Sequence, residues 1–449
     1  MVDQQALNAA RDVEPTALDH VEDLAAFVAA SPSSYHAAAE GARRLAAAGF
    51  TGLDEAADWP APPGRYFVVR DGALVAWVTP EDAGPRTGFH LLGSHTDSPS
   101  FKLKPRPTTG AHGWLQAGVE VYGGPLLNSW LDRELLLAGR LVLRDGTEVL
   151  TRTDPLLRFP QLAIHLDRQV NEGLTLDKQR HMNPVWGTGA PAQEDLLGVL
   201  AAAAGVAAAD IGGYDVVVAD SQAGAVFGHE QAFFACGRLD NLSSMHASLV
   251  ALIEHAESFA GAAAEGAGEP GGGRRIAMLA AFDHEEIGSA SRSGASGPFL
   301  QEVLERVSGG LGATAADRYR AYADSVCISA DAGHSIHPNY PERHDPANQP
   351  LLGAGPLLKI NANQRYATDG VGAALWARLC GETGVPYQEF VSNNVMPCGS
   401  TIGPLTATRL GIRTVDVGIP LLSMHSAREL CGVADPWRLA RVAAGFFAA

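Results

Sequence analysis

The feature that most constrains the fold is a set of short apolar runs in a chain that also carries helical patterns. RIAMLAAF, DSVCISA and TVDVGI show little apolar–polar alternation, and FHLLGS is a similar run near residue 90. Such runs predict strands buried on both faces, as the strands of a parallel sheet are. The helical pattern NLSSMHASLVALIEHAES precedes RIAMLAAF. We therefore expect an α/β domain with a largely parallel sheet.

The N-terminal part predicts two helices and a hairpin. Apolar residues recur at helical spacing between residues 16 and 49, and the SPSS segment supplies a stop and a new N-cap. RYFVVRDGALVAWVTP predicts a hairpin that turns at Asp71 and Gly72. The Gly-rich EGAGEPGGGRR is expected to be a flexible surface loop.

Between about residue 100 and residue 235 the pattern changes to short strands joined by turns. GWLQAGVEVYGG, LLLAGRLVLRDGTEVL and DVVVADSQAGAVF predict a mainly β segment, either a barrel or a sandwich. The polar HLDRQVNEGLTLDKQRHMNP and an Ala-rich, helix-forming segment interrupt it. We predict a discontinuous catalytic domain, residues 1–100 and 237–449, with a β-rich domain inserted at residues 101–236.

Charge and hydropathy exclude several classes of protein. Lysine and arginine number 33 against 50 acidic residues, and the net charge of −17 argues against a nucleic-acid partner. The acidic N-terminus has no apolar core, so we expect no signal peptide. The most Ala-rich stretch falls far short of the roughly 20 apolar residues that cross a bilayer, so we expect no membrane partner.

The cysteine pattern favours a reduced, cytoplasmic chain. The five cysteines are scattered and form no CxxC pair, so they are expected to be buried thiols rather than a disulfide framework. They are Cys236, Cys327, Cys380, Cys398 and Cys431.

Acidic and histidine side chains follow the ends of the predicted strands. In an open α/β sheet, ligands bind outside the carboxyl ends of the strands, so these side chains are expected to converge. Each motif alone is weak, since adjacent glutamates ordinarily form a solvated face. Five separated segments share the pattern, and their residues are His95, Asp97, Asp240, Glu285, Glu286, Asp331, His334 and His425.

These acidic and histidine residues suit the active site of a two-metal hydrolase. Carboxylate and imidazole ligands without thiolate suit Zn²⁺ or Mn²⁺ at a catalytic site. Two metals about 4 Å apart share a bridging carboxylate and a water. One further carboxylate must accept the proton of that water, so Glu285 and Glu286 are expected to divide metal binding and base catalysis. Asp97, two residues after His95, suits the orientation of a ligand.

The same residues allow three other interpretations. A binding module with a structural metal would normally use a closed, thiolate-rich site. A serine nucleophile is suggested by Ser94 beside His95 and Asp97, but triads are assembled in space, and no G-x-S-x-G elbow is present. A two-metal hydrolase of N-acyl amino acids or blocked peptides would keep the same fold and metals, so this alternative stays open.

Nine segments form an ordered set from about residue 31 to residue 429. They are SPSSYHAAA, GSHTDSPSFKLKP, LAIHLDR, GRLDNLSS, DHEEIGS, SADAGHSIHPNYPERHDP, KINANQRYATDG, PCGSTIGP and SMHSARE. Together they resemble the M18 aminopeptidase family, which includes aspartyl aminopeptidase, and GSHTDSP together with SMHSARE is highly specific. The resemblance implies a zinc-peptidase-like α/β/α sandwich with an inserted β-rich, barrel-like domain.

The resemblance also implies a ligand set for two Zn²⁺ ions per subunit, with Mn²⁺ or Co²⁺ as alternatives. His95, Asp240 and Asp331 would hold one metal. Asp240, Glu286 and His425 would hold the other, so that Asp240 bridges the pair.

Further roles follow from the same resemblance. Glu285 would be the general base, and His334 would contact the substrate beside the metals. His165, in LAIHLDR, is either a residue that reaches the active site of a neighbouring subunit or one of the metal-site histidines. The inserted domain would serve dimerisation. The family builds tetrahedral dodecamers that enclose their active sites, which restricts substrates to peptides.

Relatives of the aspartyl type prefer an N-terminal Asp or Glu, and the resemblance implies that such a preference here would depend on Lys359 in KINANQRY. An acidic side chain needs a cationic partner, and a buried lysine supplies one. The alternatives are a solvated loop lysine, with Arg365 and Tyr366 as nearby candidates, and an aminopeptidase of neutral or broad preference. Asp283 and His284 have no assigned role.

Overall fold

A computed structural model describes residues 15–60, 63–265 and 274–449. The predicted Gly-rich loop lies largely outside these residues. The helices are α1 (Pro15–Ala30), α2 (Ser34–Ala47), α3 (Leu196–Ala204), α4 (Leu239–Glu265), α5 (Phe299–Gly310), α6 (Ala315–Ala323), α7 (Gly370–Thr383), α8 (Ile402–Leu410) and α9 (Ala434–Ala448).

The strands within the described ranges fall into four sheets. They are β1 (Thr51–Gly52), β2 (Gly64–Arg70), β3 (Ala73–Thr79), β4 (Phe89–His95), β5 (Ser100–Thr109), β6 (Trp114–Tyr122), β7 (Leu135–Leu143), β8 (Glu148–Arg152), β9 (Val185–Thr188), β10 (Ile211–Asp220), β11 (Ala225–Phe227), β12 (Phe233–Cys236), β13 (Ile276–Phe282), β14 (Val326–Ala330), β15 (Gly333–His334), β16 (Leu357–Lys359), β17 (Gln388–Phe390), β18 (Arg413–Gly418), β19 (Pro420–Leu421) and β20 (Glu429–Gly432).

The largest sheet has nine strands in the order β1-β2-β3-β13-β4-β14-β18-β16-β17. At its centre β13, β4, β14 and β18 are mutually parallel, and the predicted buried runs occupy these four strands. Every residue of β4 and β13 is buried, which explains why neither run alternates. The predicted α/β fold is confirmed.

Helices cover both faces of this sheet, so a hydrophobic core lies on each side of it. Strand β3 contributes side chains to both cores. Its residues Leu74 and Ala76 belong to the core beneath α1, α2, α4, α7 and α9. Its residues Val75 and Trp77 face the other core, to which α5 and α8 contribute. Successive side chains of a strand point to opposite faces, so the sheet forms the middle layer of an α/β/α sandwich.

The predicted N-terminal helices and hairpin are also present. Ser33 caps α2 by accepting a hydrogen bond from the amide of His36 at 3.4 Å. The hairpin of β2 and β3 turns at Asp71 and Gly72, where Asp71 has a φ of 53°. A Cβ on Gly72 would collide with Ser34 and Asp283, so close packing of the turn requires glycine.

A second, β-rich part of the chain follows β4. Its six-stranded antiparallel sheet has the order β8-β7-β10-β5-β6-β9. Near the end of the predicted insertion, β11 pairs with β12, and β12 pairs in turn with β20 from the C-terminal part. The domain boundaries at residues 101 and 236 remain a prediction. No helix in the described ranges combines the length and apolar composition needed to span a bilayer.

Buried histidines make the fold sensitive to acid. His90 of β4 is 8% exposed, and its ring stacks on Phe446 of α9 with centroids 4.4 Å apart. Burial, reinforced by Arg275, lowers the pKa of His90 to about 4, and burial lowers that of His20 to about 3. The unfolded chain therefore binds protons below about pH 6.5 that the folded protein does not, and stability falls as the pH drops towards 4.

We predict that His90→Phe weakens this acid sensitivity. Phenylalanine keeps the stacked ring and removes the titrating group, so the loss of unfolding free energy between pH 7 and pH 5 should shrink by up to about 2 kcal/mol. Thermal unfolding at both pH values measures it. His229→Gln, which changes an exposed histidine, should keep the wild-type pH dependence. An unchanged pH dependence in His90→Phe would contradict the prediction.

Candidate active site

The carboxyl ends of the central strands meet at one edge of the nine-stranded sheet. His95 is the last residue of β4 and pairs with Phe282, the last residue of β13. Asp331 directly follows β14, and Glu285 and Glu286 begin a 3₁₀ turn just after β13. Because the strands are parallel and in register, these residues come to the same edge.

Six predicted residues form overlapping groups in which candidate ligand atoms lie within 4.8 Å of one another. His95, Asp240 and Glu286 each belong to two of the groups. The groups are His95, Asp240 and Asp331; Asp240, Glu286 and His425; and His95, Glu285 and Glu286.

Asp240 lies between the two imidazoles, at the beginning of α4. Its Oδ1 is 3.4 Å from His95 Nε2, and its Oδ2 is 3.5 Å from His425 Nε2. His425 Nε2 is also 3.4 Å from Glu286 Oε2. Among the described residues, Asp240 Oδ1 and Glu286 Oε1 are buried without a hydrogen-bond partner. Buried orphan oxygens are rare and suit a cation.

Both imidazoles present the same nitrogen to the acids. His95 Nδ1 is 3.0 Å from the carbonyl oxygen of Asp97, and His425 Nδ1 is 3.1 Å from that of Gly124. A carbonyl only accepts, so each Nδ1 carries the proton that it donates. Burial opposes protonation of the two rings, but their hydrogen bonds to Asp240 prevail and raise the pKa of both, to about 9 for His425. A metal bound there would displace the Nε2 proton and use the lone pair of that nitrogen.

Asp97 holds the Glu285 turn in place. Its Oδ1 accepts from the amide of Glu285 at 2.9 Å, and its Oδ2 accepts from the amide of Glu286 at 3.1 Å. The hydroxyl of Tyr122 donates to Oδ2 at 2.8 Å. Burial opposes ionisation of Asp97, but its interactions with His95, Tyr122 and these amides prevail and lower its pKa.

The protein atoms alone leave excess negative charge in this cluster. Burial, joined by repulsion from Asp331 and Asp240, raises the pKa of Glu285 to about 8. Burial and Asp240 also raise the pKa of Glu286. Protons relieve such repulsion, and so do metal cations, which displace protons from their ligands. The donor set therefore fits zinc, which takes imidazole nitrogen and carboxylate oxygen.

Lys359, at the end of β16, is buried beside this cluster. Its Nζ donates to the carbonyl of Ala332 at 2.7 Å and lies 4.0 Å from Asp331 Oδ1. Its Nζ is 5.3 Å from the centroid of the Tyr366 ring. Lys359 is 2% exposed, so the solvated-loop alternative is wrong, whereas Arg365 is exposed.

The other predicted substrate residues lie outside the metal-ligand groups. His334 on β15 is exposed, with its ring 6.1 Å from that of Phe390. His165 is exposed in the segment between β8 and β9 and joins none of the groups found among the described residues.

Sequence reasoning missed three residues that support the site. Tyr122 and Gly124 stand at the end of β6, and Glu429 begins β20. Oε2 of Glu429 accepts from the amide of Asp240, and Oε1 accepts from the amide of His425. The position of VYGG at a strand end and the acidic residue four places after His425 were the available signals.

Comparison with known proteins identifies the family. The sequence profile described as aminopeptidase I zinc metalloprotease (M18) matches residues 27–447. The chain belongs to the M18 aminopeptidase family. A probable M18 family aminopeptidase 2 of Streptomyces avermitilis is 53% identical over 430 residues, which cover 95% of this chain and 97% of that one. The Mycobacterium tuberculosis protein of the same name is 45% identical over 420 residues, with coverages of 92% and 94%.

A solved M18 structure gives the same fold. The mApe1 dodecamer of Saccharomyces cerevisiae matches with a TM-score of 0.82 and 29% identity, covering 96% of this chain and 97% of that chain. The predicted metallo-aminopeptidase is thus confirmed: this M18 aminopeptidase is a metal-dependent enzyme that hydrolyses peptides from the N-terminus. A serine hydrolase and a non-catalytic metal module do not fit the family.

Proposed function

We propose that this M18 aminopeptidase uses two zinc ions and removes N-terminal Asp or Glu from peptides. The observation that carries the dinuclear proposal is the position of Asp240, with one carboxylate oxygen towards each imidazole. His95 and Asp331 complete one ligand set around it, and Glu286 and His425 complete the other. Zinc bound there would activate a water molecule and polarise the substrate carbonyl.

Glu285 is the proposed general base. Its Oε2 lies 3.9 Å from His95 Nε2, and its side chain is 16% exposed, compared with 4% for Glu286. The more open glutamate can receive a proton from water, and the more buried one suits a ligand. The hydrogen bonds from both amides to Asp97 fix the two side chains in different directions.

We predict that Glu285→Gln loses turnover and keeps its metal. Glutamine preserves the shape but cannot accept the proton, so kcat should fall by about 10²-fold or more while zinc content stays at the wild-type level. Peptidase assays and metal analysis of the purified protein measure the two quantities. Glu286→Gln is the matched control and should lower zinc content. Near-wild-type kcat in Glu285→Gln would disprove the base assignment.

Lys359 is the proposed partner of an acidic substrate side chain. It is a buried cation next to Asp331, a proposed ligand, so it stands beside the reaction centre. Its contact with Ala332 uses one of three ammonium protons, and two remain for other acceptors. The proximity of Lys359 to Asp331 supports a second candidate function. In it, Lys359 only balances the negative charge of the acidic cluster, and the enzyme removes neutral N-terminal residues.

We predict that the wild type cleaves Asp and Glu p-nitroanilides better than those of Leu and Lys. Lys359→Gln should lower kcat/KM for the acidic substrates by about 10²-fold, because a buried charge pair loses one partner, and should change the Leu substrate much less. Arg365→Gln, which alters an exposed neighbouring cation, should keep the preference. A wild type that cleaves Leu far better than Asp and Glu would support the second candidate.

The chain is proposed to form homo-oligomers, with residues 101–236 as the dimerisation domain and a dodecamer built from dimers as the full assembly. The relative from Saccharomyces cerevisiae is a dodecamer. Here, three apolar side chains close to His165 in the sequence are exposed: Leu162 at 60%, Ile164 at 49% and Leu166 at 75%. Apolar side chains exposed together mark protein interfaces, and a neighbouring subunit would receive His165 with them. The cytoplasmic location remains a prediction.

We predict that Leu166→Asp dissociates the assembly. An exposed leucine contributes little to the isolated subunit, whereas a buried carboxylate at an interface is costly. Analytical ultracentrifugation should show smaller species with an unfolding temperature near that of the wild type at matched concentration. Tyr319→Asp, which alters a 73% exposed side chain on α6, should leave at least the dimer. An intact wild-type assembly in Leu166→Asp would exclude this segment from the interface.

A further inference from the structure

One buried carboxylate connects two residues of the proposed metal centre through their backbones. Glu429 is 2% exposed and is the first residue of β20. Its Oε2 accepts from the amide of Asp240 at 2.9 Å, and its Oε1 accepts from the amide of His425 at 2.7 Å. Both oxygens are thus used to hold chain segments rather than to face the ligand groups.

Strand pairing fixes the position of Glu429. Glu429 is the register partner of Cys236, the last residue of β12, and the chain then leads directly into α4 and Asp240. The next residue, Leu430, exchanges two backbone hydrogen bonds with Leu422, at 2.9 and 3.1 Å, on the other side of the His425 loop. Glu429 is therefore anchored to both segments whose amides it accepts.

The His425 loop needs such support. His425 has a φ of 65° and Ser423 has a φ of 58°, a region that is unfavourable for non-glycine residues. Residues in such conformations persist where surrounding contacts hold them. The short hydrogen bond from the His425 amide to Glu429 is one such contact.

We propose that Glu429 is a positioning residue that sets the separation of Asp240 and His425 and thereby the affinity of the second zinc site. This inference rests on the proposed ligand sets. His425 and Asp240 both belong to the second set, whereas the first set takes only Asp240 from this pair. Loss of the Glu429 contacts should therefore weaken the second zinc more than the first.

The test uses Glu429→Gln in the full-length protein. Glutamine has the same shape, but its NH₂ group would face a backbone N–H, so one of the two contacts is lost. Metal is removed with a chelator, and zinc binding is measured by calorimetry and by competition with a chelating dye. The second zinc is expected to bind about 10- to 100-fold more weakly, with the first within about threefold of wild type.

Asp435→Asn is the matched control. Asp435 is also fully buried, and its carboxylate accepts from the amides of Gly353, Gly355 and Gly432, which are not proposed ligands. Both zinc affinities should stay at wild-type values in this variant. An equal loss in Asp435→Asn would show a general effect of removing a buried carboxylate and would overturn the inference.

The remaining outcomes separate this inference from the proposed function. Unchanged affinities for both zinc ions in Glu429→Gln overturn it. Wild type that binds one zinc refutes the dinuclear proposal, and the affinity of that zinc in Glu429→Gln then decides the positioning role. Circular dichroism of the metal-free proteins checks folding. Should Glu429→Gln fail to fold, Glu429→Asp, which is too short to reach both amides, should show the same selective loss.

Discussion

The structure depends on holding several buried acidic side chains close together despite their mutual repulsion. Two carboxylates that accept from backbone amides achieve this: Asp97 holds the amides of Glu285 and Glu286, and Glu429 holds that of Asp240. Hydrogen bonds from amides favour the ionised form of Asp97 against its burial, and at both residues they hold the backbone from which the neighbouring site side chains leave. The hydrogen bonds of the chain itself thus contribute to the geometry of the cluster, and a cation would balance its charge.

The nine-stranded sheet supplies the frame for these contacts. Because β4, β13, β14 and β18 are parallel and buried on both faces, their carboxyl ends are held at one edge by two hydrophobic cores. A shift of register by one residue would exchange the two faces of a strand, so the cores also fix the position of His95 relative to Asp331. The packing of the two cores thus fixes the distances between the site residues at the strand ends.

Much of this arrangement could be predicted from the sequence, because each site residue closely follows an element with a strong local signal. His95 ends an apolar strand, and Glu285 begins the turn after another. Because the carboxyl ends of parallel strands meet at one edge of a sheet, this pattern was enough to predict that the two residues lie at the same edge. Glu429 could not be placed in this way. Its role depends on the pairing of β20 with β12, a long-range contact between short strands that leaves little periodicity. The backbone carbonyl of Gly124 carries no side-chain signal at all.

The position of Lys359 connects metal binding with substrate choice. A buried ammonium is costly unless it is compensated, and Asp331, with its Oδ1 at 4.0 Å, supplies the compensation in the protein alone. In the proposed function, the Asp331 carboxylate would bind zinc when the site is loaded, and its negative charge would then be balanced largely by the metal. The ammonium then loses part of its compensation, and an acidic substrate side chain can supply it. The same lysine would thus stabilise the acid cluster before metal binds and favour an acidic residue afterwards, which makes acidic preference a property of the loaded site.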